Sequence, residues 1–495
     1  MSVAIIEQTK LRRHLTAEKK LAIVKASYAP DVTVAEIARK YNVGLSTLIK
    51  WRKYALEGSL MSVKDNTPPA SASEVKKLTP FNSFKLTRAF SHILNLLNLA
   101  ESLDASRKLN EYENPYFKNK NQNLFIEDLI NGLFKNKKIS NKKIYEQATK
   151  LDIGIVLTAH PTEVKRRTLI QKYANLIDIL EKRHLYKKYP SKIIELDRQL
   201  YSEIAIIWKT DELKRTKPSP IDEARWGLAV IEDSLWDTIP KVYKRLNDIF
   251  RKNLKKDLPR DFNPIQFGSW MGGDRDGNPN VTAEVTKKVL LFSRWQAAKL
   301  YDKELTKLIQ DLSMEECSTK IKKVTGNSFE PYRVFLRPIR DKVRLTHQLI
   351  ENHLNNNSIL DEKKLIQNKY EITLPLREVR NSLKLNKGDH IANADLLDLM
   401  RRVRCFGINL ARLDIRQEAD RHSKLLNELF RKKYNIKYNS LSEKEKIKLL
   451  NKSIKEKNYF VNRIKITNKE NKEVWDTFKQ ISKSPNECLG AYVIS

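Results

Sequence analysis

From Pro80 onward the sequence runs in long amphipathic helical stretches, broken by a few short apolar runs that end in Gly, His or Pro. That alternation calls for a mainly α protein with a few strands set among its helices. Phe90, Ile93, Leu94, Leu97 and Ala100 fall at helical spacing, as do Leu396, Leu397, Met400 and Val403. Ile153-Gly-Ile-Val-Leu157 is short and rich in β-branched residues, and it reads as a buried strand. With 495 residues, 40% of them hydrophobic and 31% charged, the chain has room for several domains and a real core. No apolar run reaches the ~18 residues of a membrane span, and Met1 to Lys10 lacks a secretory signal pattern. Cys317, Cys405 and Cys488 are far apart and odd in number, which argues against a disulfide framework or a four-thiolate zinc site and suits a reducing cytoplasm.

The net charge of +34 suggests nucleic acid at first sight. Most of the excess is Lys, however, dispersed through segments equally rich in Asn and Ile, such as Asn119-Lys-Asn121 and Ile464 to Lys472. An AT-rich coding sequence enriches those three residues together, and scattered Lys forms no stripe of the kind a nucleic-acid surface needs. The charge therefore identifies no partner.

Three regions follow one another: a helical module at 1–60, a Pro/Ser/Ala-rich linker at 61–79, and the long helical body at 80–495. In the first, Thr33-Val-Ala-Glu36 is a capping box that opens a helix carrying Ile37 and Ala38. The helix breaks at Tyr41-Asn-Val-Gly44, with Asn42 and Gly44 making the turn and Val43 plugging the core. A second helix follows, with Ser46, Thr47, Lys50 and Arg52 exposed and Leu48, Ile49 and Trp51 free to pack. Short helix, turn and basic helix make a small all-α helix-turn-helix, with the four exposed residues as candidate DNA contacts. Arg12 to Lys20, Val34 to Val43 and Leu48 to Arg52 together resemble the N-terminal module of insertion-sequence transposases. A plain three-helix cap with no DNA role is the alternative, and no Asp-Asp-Glu transposase core is recognisable downstream.

The body carries three chemically suggestive stretches. The first apolar run leads into Thr158-Ala-His160-Pro-Thr-Glu-Val-Lys-Arg166-Arg167. A histidine just past a strand, beside a guanidinium pair able to hold phosphate or carboxylate, suits acid–base or phosphate chemistry, although a lone His is more often structural. The second is Phe267-Gly-Ser-Trp270-Met-Gly272-Gly273-Asp274-Arg275-Asp276-Gly277-Asn-Pro279. Its glycines permit sharp turns or close approach. A calcium loop starting at Asp274 fails because Pro279 and Val285 stand where Gly and an acid are required. A structural turn held by Asp side chains remains the alternative. In the third, Asn409 to Gln417, Ala411, Leu413 and Ile415 fall on one face of a strand and Arg412, Asp414 and Arg416 on the other. That charged row is either a polar site face or a self-neutralising salt-bridge row.

These three stretches, with Arg88 to His92, Lys209 to Pro218 and Gly490 to Ser495, resemble phosphoenolpyruvate carboxylase from about Pro80 to the last residue. The resemblance implies a helix-rich enzyme around an eight-stranded α/β barrel. It implies a homotetramer that uses Mg²⁺ or Mn²⁺ to convert phosphoenolpyruvate and bicarbonate to oxaloacetate and phosphate, through carboxyphosphate and an enolate. By that likeness His160 would take the catalytic position, and Arg166, Arg167, Arg412 and Arg416 would be substrate contacts, with Arg416 competing with Arg412 for the phosphate. Trp270, Gly272, Gly273, Asp274, Arg275 and Asp276 form a loop near the site. The chain stops at Ser495, before the family's G-Y-S-D-S-x-K-D-x-G signature and its acidic metal ligands. The expectation is thus an incomplete α/β barrel with no metal ligands of its own, inactive alone. The rival expectation is a DNA-binding protein acting through residues 1–60.

Overall fold

The computed structural model describes residues 17–28, 33–56, 80–112, 126–136, 138–158, 167–211, 218–259, 261–455 and 464–495. The expected linker, the Arg12 to Thr16 part of the transposase-like string, His160, Arg166, and the side chains of Lys50 and Arg167 lie outside them. The chain divides into two compact units, Met1–Ala105 and Ser106–Ser495.

In the first unit, helices α1 (Ala17–Ala26), α2 (Val34–Lys40) and α3 (Leu45–Leu56) gather around Ile23, Val24, Ile37, Ala38 and Leu48. The capping box is present: Thr33 Oγ1 accepts from the Glu36 amide, and the Thr33 amide donates to the Glu36 carboxylate at 2.8 Å. Asn42 takes the left-handed conformation (φ 51°) that the turn requires. Val43 and Trp51 pack against the cluster as expected. Ile49 does not: it is 54% exposed, because the α3 face that meets α1 and α2 is already filled by Leu48 and Trp51. The helix Pro80–Tyr112 buries Leu99 and Leu103 and leaves Phe90, Ile93, Leu94 and Leu97 exposed, so that apolar stripe is helical without being covered.

The second unit holds a four-stranded sheet of β1 (Ile153–Leu157), β2 (Ile265–Ser269), β3 (Arg412–Gln417) and β4 (Leu489–Ile494), parallel throughout and in sequence order. Parallel neighbours require long crossovers, and helices fill every one. Leu157, Ser269, Leu413 and Leu489 stand level across the sheet. The register between β3 and β4 then shifts by one residue after Leu413.

One side of the sheet is covered. Phe267, Leu413 and Ile415 enter the main core, which is built on the packing of Ala283–Asp311 against Pro331–Asn356, where Tyr301, Leu305, Tyr332 and Leu336 are buried. Phe267 stacks on Phe406 (5.4 Å, 15°) and Phe406 on Trp236 (5.3 Å, 19°), which ties β2 to the helices Asp395–Phe406 and Trp236–Leu254. Pro240, inside the latter helix, has no N–H to offer the Trp236 carbonyl one turn back. Arg402 Nε donates to that carbonyl at 2.9 Å instead. Leu396, Met400 and Val403 form the buried stripe their spacing predicts.

β1 departs from expectation. It is a strand, but Ile153, Ile155 and Val156 are each more than 40% exposed. It is an edge strand with β2 as its one neighbour among the described residues, so its apolar side chains lack the cover a central position gives.

Candidate active site at the carboxyl ends of the strands

Parallel α/β sheets place ligands at the carboxyl ends of their strands, where the connecting loops meet. Here the segment after β2 bulges and then docks along the end of β3 in parallel pairing. The Trp270 amide donates to the Leu157 carbonyl at 3.0 Å, extending the β1–β2 ladder by one residue. Gly272, at φ +82°, then makes a tight turn, after which the chain continues parallel to β3. The segment pairs with β3 through Arg416 N to Gly273 O and Arg275 N to Arg416 O, each 3.0 Å. At Gly273 a Cβ would lie 1.9 Å from the Asp414 carbonyl oxygen, so only glycine admits this approach. The three glycines thus serve turning (272 and 277, both at positive φ) and close contact (273).

Arg275 fastens the turn from beneath. It is 3% exposed; Nη1 donates to the Gly273 carbonyl at 2.8 Å and Nη2 to Thr286 Oγ1 at 2.5 Å, while that hydroxyl donates to the Gly272 carbonyl at 2.8 Å. Burial lowers its pKa, opposed by the charge of Glu473 and by Tyr492 and Asp274. It lies in the packed base, where it cannot meet a ligand.

The charged row on β3 divides into three separate environments. Arg416 reaches the docked segment, with Nη2 2.5 Å from Asp276 Oδ2, Nη1 3.7 Å from Asp274 Oδ2, and its guanidinium 5.9 Å from the Trp270 ring centre. Asp274 Oδ1 also accepts from the Asp276 amide at 3.1 Å. The aspartates therefore hold a turn and neutralise Arg416. Asp414 accepts from Trp270 Nε1 at 3.0 Å and from the Ala491 amide at 2.8 Å. Arg412 is exposed and has no ion pair within 4 Å among the described residues. Its charge acts on Glu487, whose carboxyl is pushed up by burial and pulled back by the Lys369 amide and by Lys369, Arg412 and Arg294. The row does not neutralise itself along the strand, because the loop after β2 and the β4 backbone supply the partners of Arg416 and Asp414.

Two readings of site residues change accordingly. Arg416 is engaged by two carboxylates, which leaves Arg412 the cation on this face with no contact partner among the described residues. In the N-terminal unit Arg52 is half-buried rather than exposed: Nη1 donates to the Ser27 carbonyl at 3.2 Å and the guanidinium lies 4.0 Å from the Tyr28 ring centre. Ser46 and Thr47 are exposed.

The described residues do not suit a divalent cation. No group of three or more His, Cys, Asp or Glu side chains among them could hold a metal. The acids nearest the strand ends, Asp274, Asp276 and Asp414, are engaged by Arg416, Trp270 and backbone amides. Thr286 and Glu487 carried no sequence signal as neighbours of these motifs. Asp414 stood in the charged row, but nothing in the sequence marked Trp270 and Ala491, 144 and 77 residues away, as its partners.

Comparison with known proteins adds to this geometry. Residues 46–495 match the family description "Phosphoenolpyruvate carboxylase", a span that begins within α3 and includes the whole sheet. A phosphoenolpyruvate carboxylase of Acinetobacter baumannii is 38% identical over 421 residues, 83% of this chain and 46% of the relative. One from Aliivibrio salmonicida is 37% identical over 455 residues (91% and 50%), and one from Shewanella oneidensis 39% over 425 residues (85% and 46%). The chain spans about half the length of the curated relatives it matches. With this match over most of its length, the chain belongs to the phosphoenolpyruvate carboxylase family.

Proposed function

We propose that this chain contributes the anion-binding part of a phosphoenolpyruvate carboxylase site, in which phosphoenolpyruvate and bicarbonate give oxaloacetate and phosphate. The observation that carries the reading is the exposed guanidinium of Arg412, without a contact partner among the described residues, on the sheet face that Asp414 and Arg416 share. A guanidinium left free on a face otherwise fully paired is suited to phosphate or carboxylate, which it can hold bidentately. Arg166 and Arg167 add cations next to His160 in the motif, and His160 is proposed as the group that assists breakdown of carboxyphosphate. Arg416 shapes the Asp274–Asp276 turn. The Mg²⁺ or Mn²⁺ of the family is assigned to ligands outside the described residues, and assembly as a homotetramer is part of the proposal.

Ligand-detected NMR of phosphoenolpyruvate with the full chain tests the reading. Saturable binding is expected, weakened at least about tenfold in Arg412→Ala, the loss of one charge-assisted contact. Equal binding by the variant removes Arg412 from the site. His160→Asn should retain binding while abolishing any oxaloacetate formation, followed by coupling to malate dehydrogenase.

A second reading concerns α1–α3. Ser46 and Thr47 are exposed in the first turn of α3, which carries no acidic residue there. That suits a helix end offered to a phosphate backbone. We propose a helix-turn-helix that contacts DNA through Ser46, Thr47 and Lys50, with Arg52 bracing α3 against Ser27 and Tyr28. A gel-shift titration against duplex DNA at two salt concentrations tests it. Binding that is absent at low salt, or unchanged by Ser46→Ala with Thr47→Ala, rules it out.

A further inference from the structure

Between β2 and β4 one carboxylate of β3 gathers contacts from the extension of the first and from the second. Asp414 Oδ2 accepts the indole N–H of Trp270, just past the end of β2, at 3.0 Å. Its Oδ1 accepts the backbone amide of Ala491 in β4 at 2.8 Å. The neighbouring chain leaves room for it. A Cβ at Gly490 would sit 1.9 Å from Asp414 Oδ1, and one at Gly268 would come 3.9 Å from Oδ2. The register shift between β3 and β4 falls at this residue, where Gly490 and Ala491 together oppose Asp414. Such a bulge re-aims backbone groups beside a site, and here it turns an amide onto the carboxylate.

We propose that Asp414 is the positioning residue for Trp270, fixing the plane of the indole at the substrate face. The proposal rests on the reading of this face as the phosphoenolpyruvate site. An indole has one hydrogen-bond donor and no acceptor. With Nε1 bound to Asp414, Trp270 presents apolar ring surface to a ligand and no donor. The Arg416 guanidinium near the ring belongs to a separate unit with Asp274 and Asp276, so it does not neutralise Asp414. Only a carboxylate satisfies both donors, because each oxygen accepts one. An asparagine offers a single acceptor oxygen and sets an NH₂ against the second donor. The role is thus specific to the acid and to the missing Cβ at Gly490.

The test uses the full chain labelled with 5-fluorotryptophan. Among its seven tryptophans, the Trp270 resonance is identified by its loss in Trp270→Phe. Asp414→Asn and Gly490→Ala, made separately on different strands, should both shift that resonance and leave the other six in place. In the unsubstituted protein, ¹⁵N-labelled Trp270 should show its indole N–H exchanging at least about tenfold more slowly than an exposed indole, the protection a bond to a charged acceptor gives. This last measurement is made on the unsubstituted protein and does not depend on Asp414→Asn or Gly490→Ala folding. A fast-exchanging Trp270 indole, or a resonance unmoved by both substitutions, overturns the positioning role. Phosphoenolpyruvate titrated into the same sample separates the two ideas. A Trp270 resonance that moves in Asp414→Asn but ignores phosphoenolpyruvate overturns the substrate reading alone. One that answers to phosphoenolpyruvate but to neither substitution overturns the positioning role alone.

Discussion

Leu413 and Ile415, on one face of β3, are 3% and 2% exposed and sit in the main core, whereas Arg412 on the opposite face is open to solvent. The two faces belong to the same six residues and differ only in parity. On the covered face the side chains are held by packing, which is non-directional and tolerates little loss of volume. On the open face they are held by paired charges and hydrogen bonds to particular atoms of the 270–276 segment and of β4. The covered face therefore supplies stability, and the open face supplies arrangement.

The largest effect should come from breaking the covered face. Leu413→Ala is expected to cost about 2–5 kcal/mol, the range for a buried leucine truncated to leave a cavity, read by urea denaturation. A loss below ~1 kcal/mol would mean that β3 is not seated in the core as its burial indicates.

Gly273→Ala attacks the joint between the two faces. Its Cβ would meet the Asp414 carbonyl at 1.9 Å, a backbone atom that cannot swing aside. We expect about 1–3 kcal/mol of destabilisation from overpacking, together with faster amide exchange at Arg275 and Arg416, whose ladder bonds would open. Unchanged exchange at those amides would separate the segment from β3.

Glu487 sharpens the comparison by pH. Burial raises its carboxyl above the ordinary value, against the Lys369 amide and the nearby Lys369, Arg412 and Arg294. A carboxyl raised on folding favours the folded state while protonated, and that contribution is lost as pH rises from the ordinary carboxyl value through the raised one. Glu487→Gln keeps an acceptor for the Lys369 amide, now bonded at 2.8 Å, and cannot ionise. Relative to the parent, the variant should gain stability as pH rises from the ordinary carboxyl value through the raised one. A parent that gains on the variant over that interval would reverse the assigned sign.

The smallest stability effect belongs to Arg412→Ala, expected within about 0.5 kcal/mol of the parent because the side chain is exposed and has no ion pair among the described residues. A loss above ~2 kcal/mol would make Arg412 a structural residue and weaken its proposed role as an anion ligand.

Local pattern carried the sequence reading a long way. The parity of β3, the capping box at Thr33 and Glu36, the Asn42 turn and the Leu396, Met400, Val403 stripe all depend on residues within a few positions of one another. The backbone periods of 2 and 3.6 write such relations directly into the sequence. The uses of Gly272, Gly273 and Gly277 were legible as a class, since turning and close approach both demand glycine.

Other outcomes had no local signature. β1 carries the composition of a buried strand and lies at an edge among the described residues, because exposure depends on how many strands flank it and not on its own residues. Ile49 and the stripe from Phe90 to Leu97 have helical spacing, but spacing cannot say whether another element arrives to cover them. Arg412, Asp414 and Arg416 are equivalent by pattern, and only the tertiary structure assigned them different partners. It did so because ion pairs and hydrogen bonds form over roughly 3–4 Å, and which groups come that close is decided by strand order, by a one-residue register shift and by the segment after β2 pairing along the end of β3. The sequence determined which face of β3 would be charged; the fold decided which charge was left free.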